Sequence, residues 1–107
     1  MKPSNIKIPT TIRVGKHKYS VEVVEAMLRK RDRARVYYGD QRRIEIGRMS
    51  NVTGKKFSDT QVLDSFWHEV THAILEEMGR HALNRDEQFV TEFANRLTKV
   101  IQTAEFK

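Results

Sequence analysis

The spacing of apolar residues changes character near the middle of this chain. In the first half, Thr11-Ile12-Arg13-Val14 and Tyr19-Ser20-Val21-Glu22-Val23-Val24 are rich in β-branched residues and partly alternate with polar ones. That is the two-residue period of a strand with one buried face. Gly15-Lys16-His17-Lys18 between them suits a hairpin loop. Arg35-Val36-Tyr37-Tyr38 and Arg43-Ile44-Glu45-Ile46 form a second strand pair around Gly39-Asp40-Gln41-Arg42. Glu25 to Arg33 is ambiguous between a helical turn and a polar excursion, and residues 48–57 read as loop.

From Ser58 onward the period is helical. Ser58 and Gln61 have the spacing of a capping box, which predicts a helix from about Asp59. Val62, Leu63, Phe66, Trp67, Val70, Ala73, Ile74 and Met78 then recur at helical intervals, and Gly79 suits a C-terminal stop. Asn84 and Glu87 repeat the capping-box spacing, followed by Phe89, Val90, Phe93, Leu97, Val100 and Ile101. The connection over 79–83 is short, which predicts antiparallel neighbours. The pattern thus predicts one α+β domain over residues 1–107, a small, mostly antiparallel sheet followed by two long antiparallel helices.

Composition narrows the chemistry. A chain of 107 residues has room for one modest core. It has no cysteine, which excludes disulfides, thiolate zinc sites and a cysteine nucleophile. Any metal site must use His, Asp or Glu. No apolar run has the length of a membrane span, and Met1-Lys2-Pro3-Ser4-Asn5 lacks the apolar core of a signal peptide. The expectation is a soluble, cytoplasmic protein with no membrane association.

The net charge of +6 is uneven. Residues 1–50 carry thirteen Lys/Arg against five Asp/Glu, a balance of +8, and the remainder carries seven against nine, or −2. Such asymmetry allows weak nucleic-acid association through the basic N-terminal half. No nucleic-acid motif accompanies it, however, and the run Arg29, Lys30, Arg31, Arg33, Arg35 has no interleaved aromatics. A solvated basic surface is the plainer reading.

The sharpest signal is Trp67-His68-Glu69-Val70-Thr71-His72-Ala73-Ile74, which contains H-E-x-x-H within a predicted helix. Residues four apart share a helix face, so both imidazoles can reach one metal ion. Glu69 lies about 100° further round. There it cannot ligate the same ion but can hold a water bound to it. Zinc lowers the pKa of such a water, and Glu69 can take its proton and later pass it to a leaving amine. The pattern would arise by chance in well under ~1% of chains this long. The bland alternative also follows from the helical wheel. The apolar stripe centres near Leu63, Val70 and Ile74, so His68 and His72 on the other side could be two solvent-exposed histidines beside an ordinary surface charge.

A catalytic zinc takes three protein ligands and keeps one open position. With no third histidine at a suitable spacing, the third ligand should be a carboxylate: Asp86, Glu87 or Glu92. A hairpin centred near residue 82 sets position 72 opposite position 92. Glu92 also lies twenty residues after His72, as in thermolysin-like spacing, although Arg96 stands where that family has a supporting carboxylate. Asp86 is a candidate for orienting a ligand from behind. The capping box with Asn84 would give Glu87 a structural role instead.

Residues 67–79, followed by Leu83-Asn84-Arg85-Asp86-Glu87-Gln88-Phe89-Val90, resemble short phage and prophage proteins grouped with ImmA/IrrE-like zinc metallopeptidases. The family's pattern of a glutamate followed six and seven residues on by Phe-Ala falls on Glu87, Phe93 and Ala94. The match departs at Thr91, where larger members have Asn. It covers residues 63–101, and the strand-rich half matches in outline. The resemblance implies a minimal zincin-like fold of gluzincin type. It further implies one Zn2+ per chain held by His68, His72 and Glu87, with Glu69 as general base, and hydrolysis of a protein or peptide substrate. Larger relatives include proteases that cut transcriptional repressors, and a basic face could bring such an enzyme to DNA-bound targets. The alternatives are a non-catalytic metal-binding module and a basic nucleic-acid-binding regulatory module of phage type.

Other positions carry weaker signals. His81, between the helices, could steady an oxyanion, although an exposed loop histidine is the simpler reading. One of Tyr37 and Tyr38 should point inward. Phe66 and Trp67 are most simply core, and His17 a hairpin surface residue. Residues 43–47 are a candidate exposed strand edge for pairing with an extended peptide.

Overall fold

Gly15 closes the first hairpin with a φ of 58°, a backbone region that L side chains avoid. In the computed structural model, which describes residues 8–26, 35–38, 42–50 and 53–106, this turn joins β1 (Thr11–Val14) to β2 (His17–Ala26). Val14 pairs with His17, so the loop is only Gly15 and Lys16, and β2 starts two residues before the predicted strand. β3 (Arg35–Tyr38) and β4 (Arg43–Met49) form the second antiparallel pair, with Tyr38 opposite Arg43. Most of the ambiguous stretch from Glu25 to Arg33, and the basic run from Arg29 to Arg33, lie outside the described residues. The side chains of Arg35, Tyr37 and Tyr38 do too.

The sheet order is β1-β2-β4-β3. The two hairpins meet through a parallel pairing of β2 with β4, from Ser20 opposite Arg43 to Ala26 opposite Met49. The sheet is therefore mixed: two of its three ladders are antiparallel, and the longest, between β2 and β4, is parallel, which the expectation did not include. The first hairpin is encoded locally by its turn at Gly15. How two hairpins join is decided by distant apolar faces, here Val21 and Val23 beside Ile44 and Ile46. The same pairing corrects the expected peptide edge. Arg43 to Ile46 are bonded to β2 on one side and β3 on the other, so they lie inside the sheet.

Three helices follow, α1 (Asp59–Glu77), α2 (His81–Arg85) and α3 (Glu87–Thr103). The predicted capping box opens α1: the Ser58 hydroxyl accepts from the Gln61 backbone N–H at 3.1 Å, and Gln61 Oε1 accepts from the Ser58 N–H at 2.7 Å. Gly79 closes it at a φ of 70°, with the Gly79 N–H bonded to the Glu76 carbonyl and the Arg80 N–H to that of Leu75. This is the paired bonding of a Schellman stop, which satisfies carbonyls that the helix end leaves open.

Val62, Phe66 and Val70 of α1 pack with Val21, Ile44 and Ile46 of the sheet. Ala73 joins Val14 and Tyr19 in a second cluster. α3 packs on α1 and α2 and, among the described residues, on no strand. Its buried positions are Val90, Ala94 and Thr98, spaced four apart. α1 therefore lies between the sheet and α3. A helix covered on two sides has no single apolar face, and Ser65, His68, Glu69 and Thr71 of α1 are buried beside its apolar residues. No described helix is long and apolar enough to cross a membrane.

The connection between the long helices differs from the expected simple loop. Residues 81–85 form α2, and the cap of α3 is Asp86, whose Oδ1 accepts from the Phe89 backbone N–H at 3.1 Å. Asn84, the expected cap, lies inside α2. Asp86→Ala should lower stability by about 1 kcal/mol, the usual cost of losing such a cap. A urea titration with an unchanged midpoint would show that the cap contributes nothing.

Candidate metal centre

A helical side chain leans towards the N-terminus, over the residue one turn earlier. His72 accordingly lies beside His68, the two rings edge to face with centroids 5.0 Å apart. Glu87 is the first residue of α3, where the positive end of the helix dipole favours a carboxylate. Its two oxygens divide between the rings: Oε1 lies 2.8 Å from His72 Nε2 and Oε2 lies 3.2 Å from His68 Nε2. Each Nε2 faces an oxygen of one carboxylate, an arrangement that an N–H donor on the ring or a metal ion between the groups would satisfy.

The donor set fits a divalent ion. One ligand atom each from His68, His72 and Glu87 lies within 4.8 Å of the others. Zinc bonds of about 2.0–2.1 Å in tetrahedral geometry set ligand atoms about 3.3 Å apart. The two contacts, 3.2 Å and 2.8 Å, run to different oxygens of Glu87, so the carboxylate stands close enough to both rings for either oxygen to join them at an ion. Two imidazoles and one carboxylate, with no thiolate, suit zinc or another borderline divalent ion.

Burial removes the solvent-exposed reading of His68 and Glu69. His68 is 2% exposed and Glu69 4%, so they are not surface residues beside a stray charge. α3 covers the side of α1 that the helical wheel leaves away from the sheet. The Glu87 side chain is 64% exposed, so the group is closed by α1 on one side and open to solvent on the other. Glu69 Oε2 lies 3.9 Å from His68 Nε2, beside the group but not part of it.

The remaining candidates fall elsewhere. Glu92 is exposed on α3, its backbone carbonyl accepting from Arg96 Nη1 at 3.3 Å, and it does not join the histidines. Asp86 caps α3 rather than orienting a ligand. His81 is exposed on α2, with Nδ1 3.9 Å from Glu76 Oε2. His17 sits in β2, 3.5 Å from Glu77 Oε1 and 3.3 Å from Arg42 Nη2. Phe66 is core, and Trp67 packs partly buried against it.

Two residues that the sequence reading missed stand behind the group. His72 Nδ1 lies 2.6 Å from Asn84 Oδ1, and Asn84 Nδ2 donates to Glu76 Oε2 at 3.3 Å. The signal for Glu76 was present, one turn after His72 on the same face. Asn84 was hidden by its resemblance to a helix cap. A separate apolar cavity of about 650 Å³ is lined by Ile12, Val14, Leu63, Trp67 and Ile74 among others, and none of His68, Glu69, His72 or Glu87 lines it.

No family model, curated protein or solved structure matches this chain.

Proposed function

We propose that this chain is a zinc-dependent metallopeptidase that hydrolyses peptide bonds in a protein or peptide substrate. His68, His72 and Glu87 would hold the ion, and Glu69 would be the general base. The observation that carries this reading is the meeting of two imidazoles and a carboxylate, with ligand atoms within 4.8 Å of one another, beside a buried glutamate that is not one of them. The resemblance of residues 63–101 to ImmA/IrrE-like peptidases supports it, as does the sequence of a mixed sheet followed by two long packed helices. Within this proposal the fold is a minimal zincin, its long helices antiparallel, working in the cytoplasm.

When bound, zinc supplies a Lewis acid that polarises the scissile carbonyl and acidifies water at neutral pH. The protein's own groups do the rest. His68 and His72 present Nε2 from one face of a helix held between two layers, so their spacing is fixed before any ligand arrives. Glu69 takes the proton of the attacking water and returns it to the leaving amine nitrogen. The open side at Glu87 is the route by which substrate approaches.

Metal removal tests the proposal directly. The purified protein, dialysed against trace zinc, should retain one zinc per chain and cut an unfolded protein substrate. A chelator should abolish cleavage, and added zinc should restore it. A folded protein that takes up no zinc would overturn the proposal.

A further inference from the structure

We propose that Asn84 is a positioning residue that holds His72 in the tautomer able to bind metal, and that Glu76 in turn fixes the orientation of Asn84. This rests on the metal-centre reading above. The argument follows donors and acceptors through three side chains. An ionised carboxylate only accepts hydrogen bonds. The atom of Asn84 that faces Glu76 Oε2 at 3.3 Å must therefore be the amide nitrogen. That leaves the amide oxygen towards His72 Nδ1, at 2.6 Å. An amide oxygen also only accepts, so Nδ1 must carry the ring proton. In a neutral imidazole the lone pair then lies on Nε2, the atom that faces Glu87 and His68.

The placement is not incidental to helix geometry. Glu76 lies one turn after His72 on α1, so their side chains neighbour each other along one face. α2 delivers Asn84 from the other side. The formation of α2 moves the cap of α3 to Asp86 and leaves Asn84 for this contact. The hydrogen bond to a ligand's far nitrogen fixes ring rotation as well as tautomer, and partners of this kind change metal affinity by about 10–100-fold.

The test measures zinc affinity by chelator competition in the full chain, with Asn84→Ala, Glu76→Gln and the paired exchange Asn84→Asp with Glu76→Gln. Asn84→Ala should bind zinc about 10–100-fold more weakly. The paired exchange reverses the bond between positions 76 and 84, keeps the total charge and restores an acceptor facing His72. It should recover affinity to within a few-fold of the wild type. Nitrogen NMR of the zinc-loaded protein supplies a signature independent of folding. The Nδ1–H of His72 should be protected from solvent exchange in the wild type and the paired variant, and exposed in Asn84→Ala. A wild type that binds zinc beside an equally tight Asn84→Ala variant overturns this assignment alone. Loss of affinity in both Asn84→Ala and the paired variant, with the Nδ1–H protected in each, also overturns it. A wild type that binds no zinc overturns the metal reading and this assignment with it.

Discussion

Glu69→Gln should leave zinc binding intact while lowering the turnover number for peptide hydrolysis by about 10²–10⁴-fold, the range for loss of a positioned general base. The substitution suits the site. Glutamine has nearly the same shape, and position 69 is 4% exposed, so a smaller residue would leave a void. The amide cannot accept a proton at neutral pH, and Glu69 is not one of the three converging residues. Zinc content and turnover measured on the same preparation separate the outcomes. Full zinc with little activity supports the proposed role. Unchanged activity would move the base elsewhere, and lost zinc would place Glu69 among the ligands. If wild type and variant both bind zinc and neither cleaves, the chain is a metal-binding module rather than an enzyme.

The second large effect is expected at the third ligand. Glu87→Gln should weaken zinc binding by more than about 100-fold, beyond the loss typical of partners that act only from behind a ligand. Glu92→Gln should leave affinity unchanged. The contrast is sharp because both residues are exposed acids on the same helix, so general surface charge changes equally in the two variants. Of the two, it is Glu87 that stands within 3.2 Å of both Nε2 atoms. Elemental analysis after dialysis gives the answer as zinc per chain. Loss of zinc in Glu92→Gln and not in Glu87→Gln would reverse the assignment.

Why the two glutamates were hard to separate from sequence has a physical explanation. A plain hairpin centred near residue 82 sets His72 opposite Glu92. The chain instead spends residues 81–85 on an extra helical turn, so α3 begins at Glu87, beside the histidines. Three polar residues, Asn84, Asp86 and Glu87, compete for the roles of cap and ligand. Local spacing cannot rank them, because the choice depends on which one His72 engages from a different helix. Likewise the wheel could place His68 away from the apolar stripe but could not show that α3 covers that side. Features with a local cause were legible: the Ser58–Gln61 box, the stop at Gly79, the turn at Gly15 and both antiparallel hairpins. The parallel join of β2 to β4 was not, since it pairs residues more than twenty positions apart through apolar faces that any order of strands could use.

The sixteen residues from His72 to Glu87 include the end of α1, the Gly79 turn and all of α2. An ion held at both ends would close that stretch into a ring. In a chain without cysteine it would act as a reversible cross-link. Closing a loop of that length restricts the unfolded chain by about 3 kcal/mol in the entropic account of cross-links. Some of this is returned if the unfolded chain also binds the ion through His68 and His72. The cross-link would act wholly within the helical half, clasping α3 onto α1. Among the described residues the sheet touches α1 and not α3, so it would gain from the cross-link through α1.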